Sequence, residues 1–316
     1  MKPIGGYFSL ELQTGEHEHK NAIMLNTARN CLEYILLAKQ YTKLYIPYYT
    51  CEVFIEPLKR NNIDYQFYHV DESLEPVKTY KLSANEAFLY TNYFGAKNDA
   101  VKQLSKVYGK QLIVDSAQAF FAQPVNGIDT FYSARKFFGV ADGGFLYTDG
   151  ILNKSLERDM SFDRMSHLLK RIDISAEAAY DDFHKNDDSL KDVSIRKMSR
   201  LTDRILRGID YKTIKFQRIR NFCFLNSILG KMNTLPIDFS CNDNVPMVYP
   251  FWGRDKCLRK KLIANKVYVA TFWPNVFDWC NENDMEYILA KNIIPLPIDQ
   301  RYNEEDMQQI IDIILN

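Results

Sequence analysis

Between residues 43 and 149 the chain alternates short strand-like segments with helix-like ones. The strand candidates are KLYIPYY (43–49), IDYQFYHV (63–70), EAFLYTNYFG (86–95), KQLIVDSAQ (110–118), IDTFYSA (128–134) and GGFLYTD (143–149). They are rich in β-branched and aromatic residues, and several are nearly unbroken apolar runs. A strand without a polar face has to be covered on both sides, as strands inside an α/β sheet are. Helical stretches such as 50–62 and 96–110 lie between them. A βαβα order predicts a mostly parallel sheet with helices on both faces.

Outside this block the character changes. Residues 26–40, NTARNCLEYILLAKQ, have a helical period with Asn26 or Thr27 as N-cap. Residues 151–207 are charged and predict partly exposed helices. Residues 209–232 predict a long amphipathic helix that bridges two domains. The tail holds three strand-like pieces, VPMVYPFWG, KVYVATFW and IIPLPID, and a closing helix, EEDMQQIIDIIL. The expected organisation is a large α/β domain over 1–210 and a smaller C-terminal α+β domain over 211–316.

Charge and cysteine usage exclude several classes. Lys+Arg and Asp+Glu number 40 each, so the net charge is zero and no basic field for nucleic acid is implied. The six cysteines form no CxxC pair, which argues against a zinc or disulfide framework and for a reducing, cytoplasmic setting. No apolar run reaches the length of a membrane span, and the first residues lack the apolar region of a signal peptide. The EHEHK stretch (16–20) alternates Glu and His without metal-ligand spacing; it is read as a solvated loop, with no metal assigned.

Three features fall where ligands sit in open α/β sheets, at the carboxyl ends of strands. Asp115 closes the apolar run LIVD, so it is nearly dry and needs a cation or several donors; Gln118 follows three residues on. Lys136 follows another strand, beside Phe137 and Phe138 and before Gly143-Gly144. A lysine on a buried segment is expensive unless paired or chemically used, and a desolvated amine suits a Schiff base. The helix start at Thr27, Ala28 and Arg29 offers free N–H groups, a positive dipole end and a guanidinium, a combination that binds phosphate. Singly, each has a bland explanation: a turn-capping acid, a snorkelling lysine, an ordinary capped helix. Together, and in their order along the chain (helix start, Asp115, Lys136), they match the phosphate, pyridine nitrogen and aldehyde of pyridoxal 5'-phosphate.

On these motifs the sequence resembles the DegT/StrS sugar-aminotransferase family of fold-type-I pyridoxal-phosphate enzymes. DSAQAF (115–120) is similar to the family's Asp-x-Ala-Gln segment, and KFFGVADGG (136–144) to its Lys-x6-Gly-Gly spacing. NTARNCLEYIL (26–36), YIPYYTCEVF (45–54), NYFGAKND (92–99) and the closing segment 293–315 resemble further family segments. The resemblance implies that Lys136 forms the Schiff base, Asp115 faces the pyridine nitrogen and Gln118 lies near the ring hydroxyl. It implies a phosphate site at Thr27, Ala28 and Arg29, where Ala28-Arg29 stands for the family's Gly-Thr. Phe131 occupies the position of the family's serine, so Ser133 is the expected phosphate ligand. Cys51 stands where the family stacks an aromatic on the ring, so Tyr48 or Tyr49 is expected to supply that face.

By the same resemblance the expected activity is ping-pong transamination, from an amino-acid donor such as glutamate to a keto-sugar acceptor attached to a nucleotide. A homodimer is implied, with segment 151–200, through Arg196 and Ser199, reaching the partner's site. Neither nucleic acid nor a membrane is an expected partner. Two other readings stand beside it. A related dehydratase carries histidine at the lysine position, and a pseudoenzyme keeps the fold for regulation or assembly.

Overall fold

A computed structural model describes residues 4–236 and 245–316. Cys241 lies outside the described residues. The chain begins with β1 (Ile23–Leu25), α1 (Ala28–Ala38), β2 (Lys43–Pro47), α2 (Ile55–Arg60) and β3 (Asp64–Tyr68). It continues through β4 (Glu86–Thr91), α3 (Asn98–Tyr108), β5 (Leu112–Asp115), β6 (Asp129–Ser133) and β7 (Gly144–Tyr147). These strands form one seven-stranded sheet in the order β1-β7-β6-β5-β4-β2-β3. The run from β6 to β3 is parallel; β7 pairs antiparallel with β6, and β1 with β7. The strand order turns back on itself at β2, as in doubly wound sheets.

The apolar runs are continuous because both faces of the sheet are covered. Leu44, Ile46, Leu89, Ile113 and Phe131 point to one face, into a core shared with α1 and α2. Their neighbours Tyr45, Phe88, Tyr90 and Val114 point to the other, under α3 and residues from the end of the chain. Tyr132 and Phe145 join a third, aromatic cluster with Phe120, Phe137, Phe138 and Tyr211. Each central strand is therefore buried on alternate residues in opposite directions.

After the sheet come α4 (Ser166–Asp173), α5 (Tyr180–Ser189), α6 (Arg200–Arg207) and the long α7 (Tyr211–Leu229). Asp210 caps α7, its carboxylate accepting the Lys212 and Thr213 N–H groups. The remaining elements are β8 (Val248–Phe251), α8 (Leu258–Ala264), α9 (Val276–Trp279), α10 (Met285–Asn292), β9 (Ile294–Pro297) and α11 (Glu304–Leu315). β8 and β9 pair antiparallel, and α7, α8 and α11 close a separate core around Leu225, Phe251, Leu296 and Ile310. An Asn303/Asp306 capping box starts α11.

Two expectations are corrected. KVYVATFW forms no strand: Val269 packs into the C-terminal core and Trp273 into the sheet's core, so the segment crosses between two cores with no edge to pair with. The Ala270 carbonyl instead accepts a hydrogen bond from Arg259. The EHEHK stretch is not a solvated loop either. His17 is buried against Asp203 at 2.7 Å, and buried His19 meets the Phe120 carbonyl at 2.7 Å among aromatic rings. Burial holds the His19 imidazole down at about 4, so it is neutral.

Candidate active site

The turn after β6 explains why a lysine stands beside two phenylalanines. Ala134–Lys136 make a single 3₁₀ turn, closed by Phe137 and Phe138 N–H groups on the Ala134 carbonyl at 3.0 and 2.9 Å. Both phenyl rings take the inward positions, packed on Phe120, Phe121 and Tyr211. That leaves Lys136 facing outward and exposed. The expectation of a buried lysine is thus corrected: the rings are the anchor, and the ammonium projects from an anchored turn at the carboxyl end of the sheet.

Gly143 and Gly144 bring a helix start beneath this turn. Gly143 has φ +119°, a conformation that side chains resist, and its N–H donates to the Asn26 carbonyl at 2.6 Å. A Cβ on Gly144 would lie 2.8 Å from the Thr27 carbonyl group and from Cys31 Sγ. Gly144 is also the cross-strand partner of Ser133. Ser133, Gly144 and the first turn of α1 are therefore in contiguous contact. Thr27 caps α1, its hydroxyl accepting the Asn30 N–H at 3.1 Å. No acidic residue stands in the first turn of α1. The N–H groups of Ala28 and Arg29 precede any intrahelical partner, and the Ser133 hydroxyl makes no hydrogen bond among the described residues.

Asp115 ends β5 between Thr91 on β4 and Phe131 on β6. It is 3 % exposed. Its carboxylate accepts the Ala117 N–H at 2.8 Å and the Thr91 hydroxyl at 3.3 Å. Burial pushes its carboxyl up to about 6, with Lys136 among the influences pulling it back. Asp115 makes no ion pair among the described residues. Gln118 is buried beside it; its carbonyl oxygen accepts the Phe94 N–H at 2.8 Å, and its amide nitrogen donates to nothing among the described residues.

Cys51 belongs to the same cluster. Burial raises its thiol, and the charges of Lys136 and Arg29 pull it back. Other expected contacts resolve differently. Tyr49 is 0 % exposed, packed on Tyr93 and Trp273, so its ring offers no face to a cofactor. Tyr48 stacks on Phe67 at 4.6 Å and leans on His69. Arg29 is already engaged: it pairs with Glu56 and donates to the Leu190 carbonyl at 3.1 Å. Ser199, expected to reach a partner, is buried at the start of α6, bonded to Asp142 at 2.7 Å. Arg196 pairs with Asp159 at 3.3 Å.

Two features were not anticipated from sequence. Asp142 is fully buried and accepts the Ser199 N–H at 2.8 Å and the Thr202 hydroxyl, tying the glycine turn to the start of α6. Residues 190–197 run across the first turn of α1. Asn26 exchanges hydrogen bonds with Arg196 at 2.9 and 3.2 Å, and the Asn26 and Asn30 amides donate to the Ser194 and Val193 carbonyls. The only sequence signal was the Ser-x-x-Thr at 199–202, a helix-start pattern that Asp142 completes from a distance.

No protein-family model matches the chain, and no curated protein does. Solved structures match its fold. A DegT/DnrJ/EryC1/StrS aminotransferase from Brucella abortus matches with a TM-score of 0.61 at 15% identity, over 93% of this chain and 85% of its own. NtdA from Bacillus subtilis, with bound cofactor PMP, matches with a TM-score of 0.62 at 13% identity, over 93% of this chain and 73% of its own. DesI, solved in the presence of its TDP-sugar product, matches with a TM-score of 0.61 at 13% identity, over 93% of this chain and 79% of its own. At these identities the likeness establishes the fold.

Proposed function

We propose that the chain is a pyridoxal-phosphate-dependent aminotransferase that moves an amino group from an amino acid, glutamate by this reading, to a keto group on a nucleotide-linked sugar. One observation carries it. An outward lysine, a dry carboxylate with no ion pair among the described residues, and a helix start whose first N–H groups lack intrahelical partners, with the Ser133 hydroxyl beside it, converge on the carboxyl ends of β4, β5 and β6. The fold supports the reading, since DesI was solved with a TDP-sugar product and NtdA with PMP.

The residues fit the cofactor by donor chemistry. The α1 N-terminus with Thr27, Ala28 and Ser133 would hold the phosphate. Gln118 has an unused amide for the ring hydroxyl. Asp115 is a buried acid with no ion pair among the described residues, and a protonated ring nitrogen would supply its cation. When bound, pyridoxal phosphate provides an aldehyde and an electron sink. Asp115 would keep the ring nitrogen's proton in place. Lys136 would bind the aldehyde carbon and, with its amine released, carry the proton between the donor's α-carbon and the cofactor. Arg29, held by Glu56, would act on the phosphate only as a nearby charge.

Lys136 is exposed in the single chain, so a second copy of the chain is assigned to cover the site, giving a homodimer. By the same reading the domains divide at 210/211, just before α7. Cys31, Cys51, Cys257 and Cys280 are free thiols, in keeping with a cytoplasmic setting.

The test is covalent trapping. Purified chain mixed with pyridoxal phosphate and reduced with borohydride should carry one dominant adduct, on Lys136, and Lys136→Ala should lose both that adduct and turnover. An adduct that persists on another residue at wild-type yield would refute the assignment. Incubating glutamate with candidate keto-sugar nucleotides, with 2-oxoglutarate release and amine formation as readouts, separates transamination from dehydration.

A further inference from the structure

The lysine turn is gripped from the C-terminal domain. Arg218, on α7, is 2 % exposed, and its guanidinium carbon lies 4.5 Å from the centre of the Phe137 ring. Its Nε donates to Gln300 Oε1 at 3.1 Å, and Gln300 Nε2 donates to the Phe137 carbonyl at 2.8 Å. Its Nη1 donates to the Met247 carbonyl at 3.0 Å and the Pro246 carbonyl at 3.4 Å. The ring and the peptide of the residue after Lys136 are thus both held by two side chains from beyond residue 210.

This is an expensive way to pack a ring. Burial lowers the guanidinium to about 10, with the charge of Asp299 opposing, and it makes no ion pair among the described residues. Asp299 spends its own hydrogen bonds on Arg301, at 2.7 and 2.8 Å. An apolar side chain of the same volume would spare the desolvation of a cation but would leave Gln300 Oε1 and the Met247 carbonyl without this donor. What an apolar residue would lack is direction: it has no fork to hold Gln300 and Met247 at once.

We propose that Arg218 is a positioning residue that, through Phe137 and Gln300, fixes the turn that carries Lys136, so that the seating of the C-terminal domain sets the reactivity of the lysine. The inference rests on the reading of Lys136 as the cofactor-binding amine.

The experiment uses the full chain with pyridoxal phosphate as probe and borohydride as trap, adducts being quantified by peptide mass mapping. Adducts at the exposed Lys102 and Lys110 are the internal reference. Arg218→Met should stay folded by thermal midpoint, yet its Lys136 adduct should form about tenfold more slowly against that reference, the equivalent of ~1.4 kcal/mol. Arg218→Lys, which keeps charge without the fork, should fall between. Phe137→Leu should slow trapping too, and combining it with Arg218→Met should add little, because both act through one contact. Should Arg218→Met unfold, Arg218→Lys and Gln300→Leu read the same link in a folded chain. Wild-type trapping at Lys136 in a folded Arg218→Met, or effects that multiply in the double variant, would overturn the proposal alone. A wild-type chain with no preference for Lys136 would overturn the reading of the site and this proposal with it.

Discussion

Asp115 is the residue whose surroundings contain the most chemistry. Among the described residues its carboxyl accepts one backbone N–H and a longer hydroxyl contact, so burial dominates and holds it at about 6, against an ordinary value near 3.8. Between those two values the folded chain binds the proton and the unfolded chain has released it. The folded state is therefore favoured by this group below pH ~4, and that advantage is lost as pH rises through about 6. In cofactor-free protein, Asp115→Asn should gain stability relative to wild type over the same window, by about 3 kcal/mol at pH 7 against pH 4. Denaturant unfolding at the two pH values measures it; a difference that does not change with pH would contradict a buried, unpaired carboxylate. The dryness of Asp115 was legible because LIVD is an unbroken apolar strand. The exposure of Lys136 was not, because KFF does not say which of three neighbours faces inward. That was decided by Phe120, Phe121 and Tyr211, distant in sequence.

At the scale of elements, the site depends on α1 reaching the lysine turn, and Gly144 is where they meet. Thr27 as an N-cap could be read from the sequence, since a threonine before a helical period is a local signal. The strands were legible for the same reason: period and β-branching are local. The strap of residues 190–197 was not, since its bonds run from Asn26, Arg29 and Asn30 to carbonyls over 160 residues away. Nor was the loss of the KVYVATFW strand, which only the gap between two cores explains. Gly144→Ala puts a methyl 2.8 Å from Thr27 backbone and Cys31 Sγ. Backbone cannot yield as a side chain does, so the expected loss is about 1–3 kcal/mol, with weaker pyridoxal-phosphate binding as the α1 start is pushed away. Gly139→Ala is the control in the same turn: its methyl would meet only Leu168 Cδ2, at 3.6 Å, and should be close to neutral. Chemical denaturation and a cofactor titration on both variants check this. Equal behaviour of the two would mean that the glycine pair does not set the helix start.

At the scale of the molecule, the single chain leaves large apolar side chains and the Lys136 amine in water. Ile4, Tyr7 and Phe8 are 98, 98 and 93 % exposed, and Met160, Phe162, Ile172 and Ile174 are largely exposed as well. Scattered apolar residues on a surface are ordinary, but an arm with three large side chains in water gains nothing from its own chain. The amine assigned to the cofactor is open to solvent, where a bound cofactor would be poorly shielded from water. The homodimer proposed above would answer both needs, burying apolar surface and closing the lysine side of the site. Light scattering should therefore give twice the mass of the chain at micromolar concentration. Replacing Tyr7 and Phe8 together by Asp should shift the population toward single chains, with charged groups now carried into the interface. Turnover per chain should fall with the dimer fraction, while Lys136→Ala should remain dimeric, since its side chain lies at the site and not in the arm. A wild-type chain that scatters as a monomer at full turnover would remove the second copy from the mechanism and leave Lys136 to be shielded by its own chain.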